Sequence, residues 1–355
     1  MRDLLMPGIR ANVAQASAVL ALAFVLTLGL AQTAQAETIS EEIINEDISD
    51  ACLLDQLKQS GDAVTIGELK ERCQKRANDP TLSLVLDRRL RERATAGIRS
   101  ILTPHNRNYM MPVSYLGDPN EEPYRDAVPE FAADRELNTT EIKFQLSLKF
   151  NIINDLLLKD DSVHFGFTAL SFWQAYNSDI SAPFRETNYE PELFWTAPID
   201  WRPFALNANV MSIGFSHQSN GQTGTLSRSW NRIYANFVWE KNRFVFSLKP
   251  WWRIPEDEKE NRLQAEGDDN PDIERYLGHF EFTTSYRRKD QEFSLKLRNN
   301  LRSSNKGAVQ LDYTFPLWRG IRGFAQYFNG YGESLIDYNA NVERFGVGIL
   351  LSDLL

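Results

Sequence analysis

A long series of amphipathic segments constrains the fold of this chain more than any other feature of its sequence. From about Asn108 to the C-terminus, stretches of roughly ten residues alternate apolar and polar side chains, with short turn-rich stretches between them. Twelve segments can be counted: 108–116, 141–153, 162–176, 188–199, 207–219, 227–242, 243–254, 273–289, 291–302, 307–318, 321–332 and 341–355. This spacing predicts an all-β sandwich or barrel. Sandwich strands usually have about five or six residues, whereas membrane-crossing strands need about nine to eleven, so the lengths favour a transmembrane barrel.

The alternation within one segment indicates how such a strand is oriented. In 141–153, an apolar face begins at Ile142 and continues on every second residue to Ile152, while the residues between are mostly polar. A soluble sandwich would show the same alternation with its apolar face inward. Tryptophans near the strand ends favour the membrane, because outer-membrane barrels carry aromatic girdles there. These are Trp195, Trp239, Trp251, Trp252 and Trp318. We therefore predict an all-β fold, a twelve-stranded antiparallel transmembrane β-barrel over 104–355.

The first 36 residues have the features of a secretory signal. Arg2 and Arg10 give a basic start, an apolar stretch occupies 16–30, and residues 34–36 read Ala-Gln-Ala. This order predicts a signal peptide over 1–36, cleaved after Ala36. The alternative is an anchoring helix, which the pattern disfavours because the apolar core is shorter than the roughly 20 residues that a span needs.

Residues 37–103 have helix-like apolar spacing and predict a helical extension on the periplasmic side of the membrane. Cys52 and Cys73 lie in two such stretches, separated by a turn signal at 60–62. In an oxidising compartment a Cys52–Cys73 disulfide would link this helical hairpin. Two free buried thiols are the alternative.

The overall charge bears on possible partners. Lys and Arg number 39 and Asp and Glu number 48, which gives a net charge of −9. An acidic chain repels phosphate backbones instead of releasing their counterions, so we expect no nucleic-acid partner.

A polar cluster stands on one apolar face of the barrel. His217 and Ser219 lie on the same face as Ile213 and Phe215. In the next segment, 227–242, Asn231 lies on the apolar, outward face. A hairpin centred near residue 224 places Asn231 opposite His217. The three side chains would satisfy one another if Ser219 bonded one ring nitrogen of His217 and Asn231 the other, which is the geometry of a nucleophile, a base and an orienting group. The alternative is a polar rim that only meets lipid headgroups.

Several longer motifs carry a resemblance to a known family. These are H-x-S-N-G at 217–221, S-R-S-W-N-R at 227–232, SAPFRETNYEPELF at 181–194, KPW at 249–251, DDNPDI at 268–273 and NGYGESLIDYN at 329–339. Together they closely resemble the outer-membrane phospholipase A family of Gram-negative bacteria, over about 108–355. The resemblance implies a twelve-stranded barrel in the bacterial outer membrane. It also implies calcium-dependent hydrolysis of phospholipid acyl esters, with phospholipase A1, A2 and lysophospholipase activity.

The same resemblance implies roles for the clustered residues. Ser219 is implied as the nucleophile, His217 as the general base and Asn231 as the residue that orients the base. The backbone N–H of Gly221 is implied as the donor to the oxyanion. The family is active as a homodimer, so the phospholipid and a second copy of this chain are the expected partners.

The implied cofactor is calcium, bound at the dimer interface, where it polarises the oxyanion through bound water. The matching ligands are the Ser227 hydroxyl and the Gln222 carbonyl of one subunit and the Ser181 carbonyl of the other. Asp268 and Asp269 match a second acidic loop, of which Asp269 is a further candidate ligand. Backbone and hydroxyl oxygens suit a hard cation.

Two departures from the family pattern bear on these expectations. Gly224 stands where members often carry an Asp as a calcium ligand, and Ala169 where a polar interface residue can occur. Two other functions also fit the strand pattern alone. One is a non-enzymatic barrel, either a solute channel or a structural protein, and the other is a soluble secreted β-sandwich hydrolase.

Overall fold

A computed structural model describes residues 65–69, 84, 85, 88, 89 and 92, and 102–353 except 126, 128–135, 181, 200, 202–206, 262, 265 and 319. The predicted signal peptide 1–36, the Cys52–Cys73 pair and Ser181 lie outside these residues. Within the described part of the chain, no helix combines the length and apolar character needed to cross a membrane.

In the described part of the chain, thirteen strands form one sheet. They are β1 (Thr103–Pro104), β2 (Asn108–Leu116), β3 (Thr140–Asn154), β4 (Ser162–Trp173), β5 (Phe184–Ala197), β6 (Asn207–Ser219), β7 (Ser229–Lys241), β8 (Phe244–Ile254), β9 (Phe280–Arg288), β10 (Gln291–Asn299), β11 (Gly307–Trp318), β12 (Ile321–Tyr331) and β13 (Asn341–Ser352). Two short helices, Glu122–Arg125 and Glu274–Leu277, and a 3₁₀ turn at Gly224–Leu226 lie between strands.

Strands β2 to β13 pair with their chain neighbours, all antiparallel, and β13 pairs with β2 to close the ring. The two-residue β1 continues one edge of β3. The predicted twelve-stranded antiparallel barrel is therefore confirmed. One segment differs, because the strand expected from Ile273 begins only at Phe280. Residues 274–277 form a helix that ends at Gly278, whose φ of +71° few other residues adopt.

The two faces of the wall have opposite chemistry. On β3, Leu146, Phe150 and Ile152 are 50%, 43% and 52% exposed on the outside. The residues between them face the lumen, where Lys143 and Ser147 are buried. An outward apolar band with a polar interior is the pattern of a membrane barrel and not of a soluble sandwich.

Ion pairs fill the lumen. Arg344 contacts Glu141 at 2.8 Å and Glu333 at 2.7 Å. Lys143 Nζ lies 2.8 Å from Glu333, and Arg185 lies 3.1 Å from Glu141. These side chains are at most 2% exposed. Buried charges persist only when paired and hydrogen-bonded, and each of these inward cations contacts an inward carboxylate.

The described residues of the N-terminal extension nearest the barrel (84, 85, 88, 89 and 92) contact the end of the barrel opposite Ser219. The backbone N–H groups of Leu84 and Val85 donate to the Glu240 carboxylate at 2.7 and 3.3 Å. Glu92 accepts from Lys149 of β3 at 2.9 Å. Burial alone raises the pKa of the Glu92 carboxyl, but Lys149 and Arg88 outweigh burial and lower that pKa to about 2. This segment lines one end of a lumenal cavity of about 440 Å³.

Candidate active site

The β6–β7 hairpin brings the predicted polar cluster together. In its register, His217 lies opposite Asn231 and Ser219 opposite Ser229, as the turn centred near residue 224 predicted. Ile213 and Phe215, on the same face as His217, are 45% and 42% exposed to the outside. The cluster therefore lies on the outer surface of the barrel, at one end of its apolar band.

A chain of side-chain contacts runs through Asn231. Nδ1 of His217 lies 2.9 Å from Oδ1 of Asn231, and Nδ2 of Asn231 donates to Oε1 of Glu256 at 3.0 Å. Because the Nδ1 side of the ring faces the amide, Nε2 is the nitrogen available to Ser219. Both residues are described, and no hydrogen bond joins the Ser219 hydroxyl to the His217 ring, so that expected contact is not formed in this structure. Such bonds are often long without substrate and tighten when it binds.

The loop after Ser219 is clamped by a buried amide. Asn220 is 3% exposed; its Nδ2 donates to the Leu226 carbonyl at 2.9 Å, and its Oδ1 accepts from the Arg228 N–H at 3.0 Å. Gly221, the next residue, has a φ of +66° and an exposed position. A Cβ there would lie 3.4 Å from the Tyr189 ring, and Tyr189 pairs with Ser219 across β5 and β6. The clamp thus fixes the backbone that follows the Ser219 hydroxyl.

The candidate calcium ligands lie beside this loop. Oγ of Ser227 donates to Oδ2 of Asp269 at 2.8 Å, and Oγ of Ser229 donates to the same oxygen at 3.1 Å. Lys259 forms an ion pair with the other Asp269 oxygen. Gln222 is exposed on the loop. Among the described residues no group of three or more His, Cys, Asp or Glu side chains could hold a metal ion.

Asp268, the neighbour of Asp269 between β8 and β9, has a different partner. Asp268 forms an ion pair with Arg253 at 2.5 Å and caps the Asn270 N–H at 2.9 Å. Gly224, where the family often has Asp, begins the 3₁₀ turn with a φ of +62°. Of the two neighbouring carboxylates, only Asp269 thus faces the serine hydroxyls.

Inward residues of the same hairpin support the site from the lumen. Trp230 is fully buried, and its indole N–H donates to Gln218 Oε1 at 2.8 Å. The Arg232 guanidinium lies 4.1 Å from the Trp230 ring centre and 2.5 Å from Glu190. This packing holds β6 and β7 together behind the outward side chains.

Two residues of the site were not assigned a role from the sequence. Asn220 was part of the quoted H-x-S-N-G motif, but its clamp depends on the fold of the following loop. The position of Glu256 could have been inferred from strand alternation. Trp252 and Ile254 lie on the outward face of β8, and Ile254 pairs with Asn231. Glu256 is the next residue in that alternation.

Comparisons with known proteins agree with this geometry. A family model described as phospholipase A1 matches residues 86–351. Phospholipase A1 of Escherichia coli K12 is 36% identical over 253 residues, which cover 71% of this chain and 82% of the relative. The putative phospholipase A1 of Neisseria meningitidis serogroup B is 35% identical over 266 residues, covering 74% and 67%.

Solved structures show the same similarity. Outer membrane phospholipase A from Escherichia coli matches with a TM-score of 0.64 and 35% identity, covering 72% of this chain and 99% of that one. A crystal structure of the Salmonella typhi outer membrane phospholipase dimer with bound calcium matches with a TM-score of 0.65 and 33% identity, covering 73% and 94%.

Proposed function

The chain belongs to the phospholipase A1 family, and on that premise we propose that Ser219, His217 and Asn231 form the catalytic triad that cleaves phospholipid acyl esters. The protein is a phospholipase of the bacterial outer membrane, built as a closed β-barrel. The observation that carries the proposal is the 2.9 Å contact between His217 Nδ1 and Asn231 Oδ1 on the outer face of the barrel. A lipid in the same leaflet reaches that face directly.

The proposed reaction has two halves. Ser219 Oγ attacks the acyl carbonyl while its proton passes to Nε2 of His217. Nδ1–H of His217 donates a hydrogen bond to Asn231 Oδ1, which keeps the ring in the required tautomer. The tetrahedral intermediate collapses to an acyl-serine, and His217 returns the proton to the departing glycerol oxygen. A water that is deprotonated by His217 then attacks the acyl-serine. The bond to Ser219 Oγ breaks, His217 returns the proton to that oxygen, and the fatty acid leaves.

We assign the oxyanion to the backbone N–H of Gly221. Its positive φ turns the chain away from the strand immediately after the nucleophile, and a donor aimed at the developing charge is worth about 10²–10³ in rate. Ser219, His217 and Asn231 are half-buried on the outer wall of the barrel. None of the residues assigned to the site distinguishes the two acyl positions, so we propose action at both (A1 and A2) and on the lysophospholipid product.

The loop residues fit a hard cation. Ser227 Oγ and Asp269 Oδ2 already lie 2.8 Å apart, and with the Gln222 carbonyl they supply the oxygen donors that calcium prefers. The Lys259 ammonium shares Asp269, so a bound ion competes with it for that carboxylate. Calcium at this position would polarise the oxyanion through bound water. We propose that a second copy of the chain completes the ligand set with the Ser181 carbonyl, so that the homodimer is the active form.

Fatty-acid release from phosphatidylcholine in mixed micelles tests the proposal. Detergent-refolded mature protein is assayed with calcium or with a chelator, beside Ser219→Ala. Release that needs both calcium and Ser219 supports it. If a demonstrably folded barrel releases nothing in calcium, or if Ser219→Ala keeps its activity, the assigned triad is wrong.

A further inference from the structure

A carboxylate stands behind the proposed triad. Asn231 makes two side-chain contacts on opposite sides of its amide, through Oδ1 to His217 and through Nδ2 to Oε1 of Glu256 at 3.0 Å. We propose that Glu256 is a positioning residue, which fixes the Asn231 amide in the orientation that His217 needs. This inference rests on the proposed function of the triad and extends it to a residue that touches neither substrate nor nucleophile.

The need for such a residue follows from the chemistry of an amide. The two ends of the Asn231 side chain have nearly the same shape, but one accepts hydrogen bonds and the other donates them. A half-turn of the amide would set its NH₂ group against the Nδ1–H of His217, donor against donor. A carboxylate can only accept, so Glu256 bonds the NH₂ end alone and excludes the turned state. An aspartate, with two equivalent oxygens, would need no such partner.

The electrostatic effect has the same direction. The imidazole of His217 becomes an imidazolium when it takes the Ser219 proton. Hydrogen bonds in a chain polarise one another, so the Glu256 charge strengthens the acceptor that Asn231 offers to His217. Asn231 thereby passes the polarising effect of the Glu256 carboxylate to His217, while the Asn231 amide separates the charge from the ring.

The fold holds Glu256 in place. Ile254, the last residue of β8, pairs with Asn231, and Pro255 restricts the backbone that leads to Glu256. The loop then doubles back, because the Asp268 N–H donates to the Asp257 carbonyl at 2.8 Å.

Two more contacts anchor this loop. The backbones of Glu258 and Asp268 form an isolated parallel β-bridge. The side chain of Lys259 forms an ion pair with Asp269. The side chain of Glu256 is half-buried, whereas those of Asp257 and Glu258 are exposed. Glu256 is therefore the carboxylate of this loop that turns towards the triad.

The test compares full-length mature variants in the fatty-acid release assay at saturating calcium. Glu256→Ala is expected to lower kcat about 10-fold, in line with other residues that orient a functional side chain, with KM unchanged. Glu256→Gln keeps an acceptor for Asn231 but removes the charge and adds a donor that can also bond the turned amide, so its kcat is expected to lie between those of Glu256→Ala and the wild type. Glu258→Ala, which removes an exposed carboxylate of the same loop, is the matched control. Glu256→Met repeats the test should the alanine variant fail to refold.

The Asn231→Ala background separates positioning from a general structural effect. If Glu256 acts through Asn231, Glu256→Ala has no further effect on kcat there. An unchanged kcat in Glu256→Ala, or an equal loss in both backgrounds, would overturn the inference. Activity that survives Ser219→Ala would overturn the proposed triad as well, whereas activity lost in Ser219→Ala but kept in Glu256→Ala would overturn the inference alone.

Discussion

His217 and Asn231 are direct partners across the β6–β7 pair, with Nδ1 and Oδ1 2.9 Å apart. If this contact orients the general base, then removing the base costs more than removing its support. We expect His217→Ala to lower kcat by about 10²–10⁴, the usual contribution of general acid–base catalysis, and Asn231→Ala to lower it less. The double variant should equal His217→Ala, because an orienting residue has nothing left to orient. Additive losses in the release assay would contradict this order.

The contact between Ser227 Oγ and Asp269 Oδ2 predicts that Ser227 affects how tightly the protein binds calcium. Ser227→Ala removes a proposed ligand and should raise the calcium concentration needed for half-maximal activity, with little change in the rate at saturation. Thr223→Ala, at an exposed position of the same loop, is the control. A chelator should lower the wild-type rate about 10²–10³-fold, which is the usual effect of losing one oxyanion-stabilising interaction. The same calcium titration for Ser227→Ala and wild type would argue against this ligand.

The backbone conformation of Gly221 predicts that a substitution there affects kcat more than KM. A side chain at φ +66° costs about 1–3 kcal/mol, and relief of this strain moves the N–H that we assign to the oxyanion. Gly221→Ala should therefore lower kcat more than it raises KM. Gly320→Ala introduces similar strain at φ +77°, in open space at the other end of the barrel. That variant should keep its kcat, and equal losses in the two variants would point to a global effect.

Local patterns were sufficient to predict the barrel and the facing pair at the site. Strand alternation determines which side of the wall a residue faces, and the hairpin length determines that His217 meets Asn231. The structure therefore agrees with the sequence where the partners lie within one hairpin. Glu256 follows the same parity beyond β8, but a loop residue can leave the strand direction, so alternation alone could not assign its contact.

Contacts between distant parts of the chain could not be predicted in this way. The inward parity of Arg344 was readable, yet its pairing with Glu141 depends on how β13 closes against β2. Helical character at residue 84 was also readable. The hydrogen bond from its backbone N–H to Glu240, 156 residues away, depends on where the N-terminal extension meets the end of the barrel. Periodicity determines faces, whereas partners across a closed barrel follow from the global register.

The buried pairs of Arg344 predict a large change in stability. Arg344→Met leaves Glu141 and Glu333 each with one cation fewer in the lumen. Breaking a buried pair in this way costs about 3–5 kcal/mol. We expect a lower urea midpoint for unfolding in detergent, followed by tryptophan fluorescence, and near-normal activity at low temperature. Arg302→Met, at an exposed loop position, should leave the midpoint unchanged, and an equal midpoint for Arg344→Met would show that the pair contributes no net stability.

The contacts of Glu92 with Lys149 and Arg88 predict that the N-terminal extension closes one end of the barrel in a pH-dependent way. Because the pKa of Glu92 is lowered to about 2 in the folded protein, its contribution is fully present above the ordinary carboxyl pKa and is lost as the pH falls from about 4 through 2. Protonation removes the attraction of Glu92 for Lys149 and Arg88. We therefore expect low ion conductance of the barrel in planar bilayers at pH 7, and a rise over that acidic window.

Glu92→Gln tests this closure without acid, since many other carboxylates also titrate below pH 4. The amide cannot form the ion pairs with Lys149 at 2.9 Å and Arg88 at 2.8 Å, so conductance at pH 7 should already be raised. Glu68→Gln, an exposed residue of the same extension, should match wild type. Equal conductance of Glu92→Gln and wild type at pH 7 would mean that the lumenal ion pairs alone close the barrel and that the ion pairs of Glu92 do not contribute to the closure.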